Sequence, residues 1–477
     1  MHRAAVINVV GLAESLIGAH TPRIGQFRQA GAMARVTPAF PAVTCTAQST
    51  YLTGTTAIGH GIVGNGWYDR SLAEIQFWKQ SNHLVRGKKL WEELRERDPA
   101  FTCAKLFWWY NMYASADYSI TPRPMYPADG RKLFDIYSWP YSIRREIKED
   151  LGEFPFPAFW GPAAGKQTPQ GTPEAVSRWI AESAKWIERK YKPGLNLIYL
   201  PHLDYNLQRY GPFSAATSLK GTRELNPQII PDLIAIDHIV GGLLDFFAER
   251  SVQVILLSEY AITNVDGPIH LNRLFRKEGW VTVKEELGRE LMDCGASKVF
   301  AVADHQVAHV YLNDSTLTEP VRKLLESQSG VQQVLGAAEK AALGIDHPRA
   351  GDLIAVAGEN AWFTYYYWME NERAPDFART VDIHRKPGYD PVELFLDPAV
   401  SFPKAKIAWR LLQKKLGFRM LMDVVPLDAT LVKGSHGRRP ERTEDFPVLI
   451  SPRAELLANP VIEATDVYHV LKRHVLT

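Results

Sequence analysis

The chain has 477 residues, 46% apolar and 23% charged, a size and balance that fit a large globular enzyme and exclude a disordered or fibrous chain. Its 55 basic residues face 53 acidic ones, a net charge of +2, so no global field recruits nucleic acid or an anionic membrane. Cys45, Cys103 and Cys294 are odd in number and widely spaced; they fit neither a disulfide framework nor a C-x-x-C metal pattern and point to a reducing compartment.

Ala4 to Val10 is an apolar run ending at Gly11, read as a buried strand and too short for the core of a signal peptide. No segment reaches the ~18 to 20 apolar residues that span a bilayer. The expectation is a cytoplasmic protein with no membrane span and no nucleic-acid partner; the sequence is silent on oligomeric state.

Phe40-Pro41-Ala42-Val43 reads as an extended segment, and Thr46 to Leu52 can be helical. Thr44 therefore falls at a helix N-terminus, where free N–H groups and the helix dipole favour a phosphate-like group. A plain capping threonine fits the same position. Residues 67–172 are rich in aromatics and prolines, with F-W-W-Y-N-M-Y at Phe107 to Tyr113 and F-P-F-P-A-F-W-G-P at Phe154 to Pro162. They are expected to form a cap inserted over the sheet edge of a single domain, 1–477.

Leu195 to Leu200 ends in Pro201-His202-Leu203-Asp204, and Val252 to Leu257 ends in Ser258-Glu259-Tyr260. Between them Leu233, Ile236, Val240, Leu243 and Phe247 recur at helical spacing after Pro231. A β-α-β unit places both strand ends on one edge, so Asp204 and Glu259 are expected as neighbours. Lys298 to Val302 and His309 to Leu312 suggest a strand pair with Asp304-His305 at the joint, and Trp362 to Trp368 reads as strand.

Taken together, F-P-x-x-T, H-G-I-x-x-N up to Asn65, D-x-x-x-x-x-Y-G-P from Asp204, L-S-E-Y and G-S-H-G resemble the alkaline phosphatase superfamily. The match is to its nucleotide pyrophosphatase/phosphodiesterase branch, with phosphonoacetate hydrolase as a relative, and it runs from about Ala4 to Pro452. The resemblance implies an α/β sandwich with a mostly parallel central sheet and helices on both faces. It implies metal-assisted hydrolysis of a phosphodiester, pyrophosphate or phosphonate through a covalent intermediate on Thr44, with Asn65 holding phosphoryl oxygens.

The ligand positions depart from that pattern. The aspartate expected before Gly-Leu is Val10; the D-x-x-x-H pair is Asp204 with Gln208; the Asp-His dipeptide is Glu259-Tyr260; the histidine of G-x-H-G survives as His436. Asp204, Gln208, Glu259 and His436 then imply one divalent ion, Zn, Mn or Mg, rather than two. His202, on the same face as Asp204 if that segment is extended, and His305, His309 and His384 are candidate substitutes, and Arg385 and Lys386 candidate phosphate-binding cations. An altered family member that binds a phosphorylated ligand or partner without turnover is the alternative. A sulfatase is disfavoured because Cys45-Thr46-Ala47-Gln48-Ser49 lacks C-x-P-x-R, and a dinucleotide-binding enzyme because no G-x-G-x-x-G follows the first strand.

Overall fold

Strand Ala4–Val9 is buried along its whole length, because it has a parallel neighbour on each side: Leu195–Leu200 and Gln253–Leu257. Flanked in this way, a strand needs an apolar run rather than an alternating one. The structure is a computed structural model and describes residues 1–129, 131–169, 171–214 and 223–477. These three strands are the middle of a nine-stranded sheet. On one side it continues through Val448–Ser451, Ala32–Thr37 and Val461–Glu463, and on the other through Cys103–Leu106, Tyr118–Pro122 and Ile136–Trp139. Only Val448–Ser451 and Ile136–Trp139 run against the rest, so the sheet is mostly parallel, as expected.

Register decides what the sheet presents. Val9 pairs with Leu200, and Asn8 with Leu257, so the three central strands end level with one another. Gly11, His202 and Glu259 leave from that one edge. Helix Ile230–Ala248 connects the two outer strands of the trio and packs with Ala175–Tyr191 and Pro22–Ala30, while Ala4–Val9 sits between those strands rather than beside them. Helix Thr44–Thr53 packs with Asp466–Leu476.

A second sheet of four antiparallel strands, Val299–Asp304, Val307–Leu312, Leu353–Ala357 and Val331–Leu335, has its own apolar core. Its first hairpin is the expected strand pair, and it turns at His305 with φ of 63°. The hairpin tip is tied to the main body where Gln306 N–H donates to the His436 carbonyl at 2.8 Å.

Two expectations change in form. The aromatic stretch 67–172, apart from residues 130 and 170, which lie outside the described residues, supplies Cys103–Leu106, Tyr118–Pro122 and Ile136–Trp139 to the central sheet, so it is woven into the sheet edge rather than laid over it. Strands of four or five residues are too short to show a period beside such dense aromatics. In the second aromatic patch only Ala361–Phe363 is strand, parallel to Gly267–Ile269; Tyr365 to Trp368 are packed core without ladder pairing. Among the described residues no helix is long and apolar enough to cross a membrane.

Candidate active site

Val43 is extended, and Thr44 opens helix Thr44–Thr53, as its position after Phe40-Pro41 predicts. Its hydroxyl is 3.3 Å from the Tyr260 hydroxyl, and Tyr260 in turn donates to Asp204 Oδ1 at 3.1 Å. Asp204 lies in the first turn of helix His202–Tyr210, and Gln208, one turn on, donates to its other oxygen at 2.7 Å. That contact is the ordinary i,i+4 neighbourhood of a helix. Gln208 also exchanges hydrogen bonds with the Tyr389 hydroxyl at 3.0 and 3.1 Å.

Glu259 approaches the same place from the end of the neighbouring strand. Its Oε1 accepts from Asn8 and Gln48, each at 2.5 Å, and its Oε2 is buried with no hydrogen-bond partner among the described residues. Burial pushes its pKa up to about 8, against the pull of the Gln48 and Asn8 hydrogen bonds. Burial likewise lifts Asp204 to about 7, with Tyr260 and Gln208 opposing it. Burying a carboxylate disfavours its charged form, which is the common cause.

Asn65 is spent within the protein. Its Oδ1 accepts from the Cys45 N–H at 3.1 Å, its Nδ2 donates to Asp304 Oδ1 at 3.0 Å, and its own N–H to Asp304 Oδ2 at 2.8 Å. It orders the start of the Thr44 helix rather than reaching past it. Burial holds Asp304 at about 7.

Four rings close the site. Tyr260 stacks on His436, His436 lies 3.6 Å from His305 between ring centroids, and His305 lies 3.7 Å from Tyr389. His436 Nδ1 donates to the Ala42 carbonyl at 2.7 Å, which fixes its tautomer and ties it to the residues before Thr44. Among the described residues its Nε2 and His305 Nδ1 are buried without hydrogen-bond partners. Burial lowers His436 to about 3 and His305 well below its usual value, so both are neutral.

The remaining candidates lie elsewhere. His202 opens a helix instead of continuing the strand, so it points away from Asp204 and sits 2.9 Å from Asp232 Oδ1. Both ring nitrogens of His309 are used, by the Val63 carbonyl and the Gly351 N–H. His384 Nδ1 meets the Phe77 carbonyl. Lys386 is buried between Asp390 and Glu393, and Arg385 is exposed beside Asp376 and Asp382, so neither is a free phosphate ligand.

The profile of the family described as "Type I phosphodiesterase / nucleotide pyrophosphatase" matches residues 4–390. The chain belongs to this family. Its fold is similar to that of phosphonoacetate hydrolase from Sinorhizobium meliloti in complex with phosphonoformate, at 14% identity and a TM-score of 0.60 over 100% of this chain and 95% of that one. It is also similar to murine ectonucleotide pyrophosphatase/phosphodiesterase 5, an inactive variant in complex with AMP, at 14% identity, a TM-score of 0.57 and the same coverage. The human form of that protein gives 13% and 0.57, again over 100% of this chain and 95% of that one. No curated protein matches by sequence.

Type I phosphodiesterases are expected to carry divalent cations, and the donors here do not fit them. Among the described residues no three His, Cys, Asp or Glu side chains come together as a metal site. Both Asp204 oxygens already accept hydrogen bonds, and Val10 lies in the core. Burial holds the Tyr260 phenol well above its usual range, so it is not a phenolate ligand. Of the residues of the one-ion expectation, Asp204 and Gln208 are bonded to one another and to their neighbours, while Glu259 Oε2 and His436 Nε2 have no hydrogen-bond partner among the described residues. Sequence reasoning missed Asn8 and Gln48; the signal was a lone amide in each of two otherwise buried elements.

Proposed function

We propose that the protein is a hydrolase or transferase of small phosphodiester, pyrophosphate or phosphonate substrates in which Thr44 attacks phosphorus. The observation that carries this reading is the chain of contacts from Thr44 through Tyr260 to Asp204, set at a helix N-terminus. A threonine hydroxyl needs a base to act as a nucleophile near neutral pH. Here its proton passes to Tyr260 while Tyr260 passes its own to Asp204, and the Thr44 Oγ1–P bond forms as the bond from phosphorus to the leaving oxygen or carbon breaks. The electron pair leaves with that atom, and Glu259, protonated at neutrality, supplies its proton. Water then attacks the phosphothreonine, giving a proton back to Glu259, and Thr44 is reprotonated along the same relay. The start of the Thr44 helix favours the phosphoryl charge.

The whole chain, 1–477, is read as one catalytic unit, and three free cysteines support a reducing, cytoplasmic setting. The test is turnover of bis(p-nitrophenyl) phosphate, a nucleoside p-nitrophenyl phosphate and phosphonoacetate by wild type, Thr44→Ser and Thr44→Ala. Retained turnover in Thr44→Ala ends the proposal.

A second reading, binding without turnover, is favoured by one observation: Thr44 is only 3% exposed, and Asn65 is fully engaged by Cys45 and Asp304. Saturable calorimetric binding of a phosphate ester with no product distinguishes it.

A further inference from the structure

Helix Pro403–Lys415 shows its apolar side to solvent. Ala405, Trp409, Leu412 and Leu416 follow the i, i+4, i+7, i+11 spacing of a stripe that ordinarily faces a core, yet no residue of this helix is buried. Its half-buried side is Pro403, Lys406, Ile407, Arg410 and Gln413, and there Lys406 and Arg410 reach Asp423 at 2.9 and 3.0 Å. Phe402, Trp409 and Leu416 are 77, 57 and 64% exposed, and Phe418 just beyond is exposed as well. The helix belongs to an excursion that leaves and rejoins the body at one point, where Asp397 N–H donates to the Val424 carbonyl at 2.8 Å and Arg379 pairs with Asp397 at 3.3 Å.

The charge around this stripe has one sign. From Ser401 to Met422 there are six Lys and Arg and no Asp or Glu. Asp423 answers two of them; Lys404, Lys414, Lys415 and Arg419 are exposed. A Trp and leucines flanked by cations is the composition of a helix lying in a bilayer interface, where stems and rings enter the acyl boundary and cations meet anionic headgroups. A second copy of this chain fits poorly, because a two-fold contact places the same positive patch against itself, and protein interface cores are depleted in Lys.

We propose that Pro403–Lys415 docks the protein on an anionic lipid surface, with Trp409, Leu412 and Leu416 at the acyl boundary and Lys404, Lys414, Lys415 and Arg419 on the headgroups. It is a peripheral contact, independent of any spanning segment and of the chemistry at Thr44.

The test is co-sedimentation of the full-length protein with vesicles of phosphatidylcholine alone or mixed with phosphatidylglycerol. Wild type is expected on the anionic vesicles, about tenfold or more weaker on neutral ones and at raised salt. Trp409→Ser, Leu412→Ser and Leu416→Ser together remove the binding, and Lys414→Glu with Lys415→Glu removes its salt-dependent part. Neither set touches a buried residue, so thermal melting should stay at the wild-type value. Absence of wild type from the anionic pellet overturns the proposal, as does a triple variant that sediments as well as wild type. A wild-type dimer that the triple variant makes monomeric, with no lipid binding by either, assigns the stripe to self-association instead.

Discussion

The phenol of Tyr260 lies flat on the imidazole of His436, with ring centroids 3.6 Å apart and 7° between their planes. From there the contact continues through His305 to Tyr389, whose hydroxyl bonds Gln208, which bonds Asp204, which accepts from Tyr260. Residues that follow the central strands and residues from the second sheet and later loops thus form a closed circuit of stacking and hydrogen bonds. Each ring packs on the next, so the Tyr260 hydroxyl is held between Thr44 and Asp204.

Tyr260→Phe tests that placement directly. The ring and its stack on His436 remain, while Thr44 loses the hydroxyl that links it to Asp204. Turnover is expected to fall on the order of 10²-fold with little change in KM, the size of a lost proton-transfer step. Asp204 loses one donor, which costs about 1–3 kcal/mol of stability. Steady-state kinetics and thermal melting read the two effects separately; unchanged kcat beside a lowered melting temperature makes Tyr260 structural only.

The pH dependence of stability follows from three buried acids. Asp204 and Asp304 titrate at about 7 and Glu259 at about 8, each raised chiefly by burial. Between their unfolded and folded values the native state therefore holds protons that the unfolded chain has released. Their contribution is full below about pH 4 and is lost as pH rises through 7 to 8, at about 1.4 kcal/mol per pH unit for each group. Glu259→Gln removes one such group and keeps an oxygen for Asn8 and Gln48. Its melting temperature should exceed that of wild type near about pH 9 and converge on it only toward about pH 4; a variant less stable at every pH refutes the assignment.

Much of this site is legible in the sequence because its residues sit where local rules apply. Thr44 follows an extended F-P-x-x and opens a helix, and the ends of two apolar runs announce Asp204 and Glu259. Gln208 enters only through the family resemblance, in the place of the histidine of D-x-x-x-H. His202 is misjudged because the strand stops at Leu200 and a helix begins two residues later; at roughly 100° per helical residue, positions two apart diverge where on a strand they coincide. Asn8 and Gln48 are invisible to any rule that counts apolar positions. Tyr389 and His305 come from the second sheet and the loop that follows it, more than 40 residues beyond Glu259, and only tertiary folding brings them in. The basic helix escapes the net charge of +2, since a local patch is averaged away over the whole chain.

Metal content separates the network from an ion site. After dialysis against a chelator, elemental mass spectrometry of the purified protein is expected to find no stoichiometric Zn, Mn or Mg, and turnover should be unchanged by chelation. About one ion per chain that disappears in His436→Ala would restore the ligand set of Asp204, Gln208, Glu259 and His436, since within that set His436 Nε2 and Glu259 Oε2 have no partner among the described residues.

Lys386 governs the far end of the circuit. Its ammonium is buried 2.7 Å from both Asp390 and Glu393, and Glu393 also accepts from the Trp160 indole, whose ring packs on Tyr389 at 5.6 Å. Lys386→Met leaves two carboxylates buried without their cation. Such a change costs about 3–5 kcal/mol, because the remaining charges are desolvated and repel each other. Denaturant titration should show that loss, with partial recovery when Glu393→Gln is added to remove one of the stranded charges. Full stability in Lys386→Met alone would mean that the two acids share a proton and that Tyr389 is held by ring packing rather than by this triad.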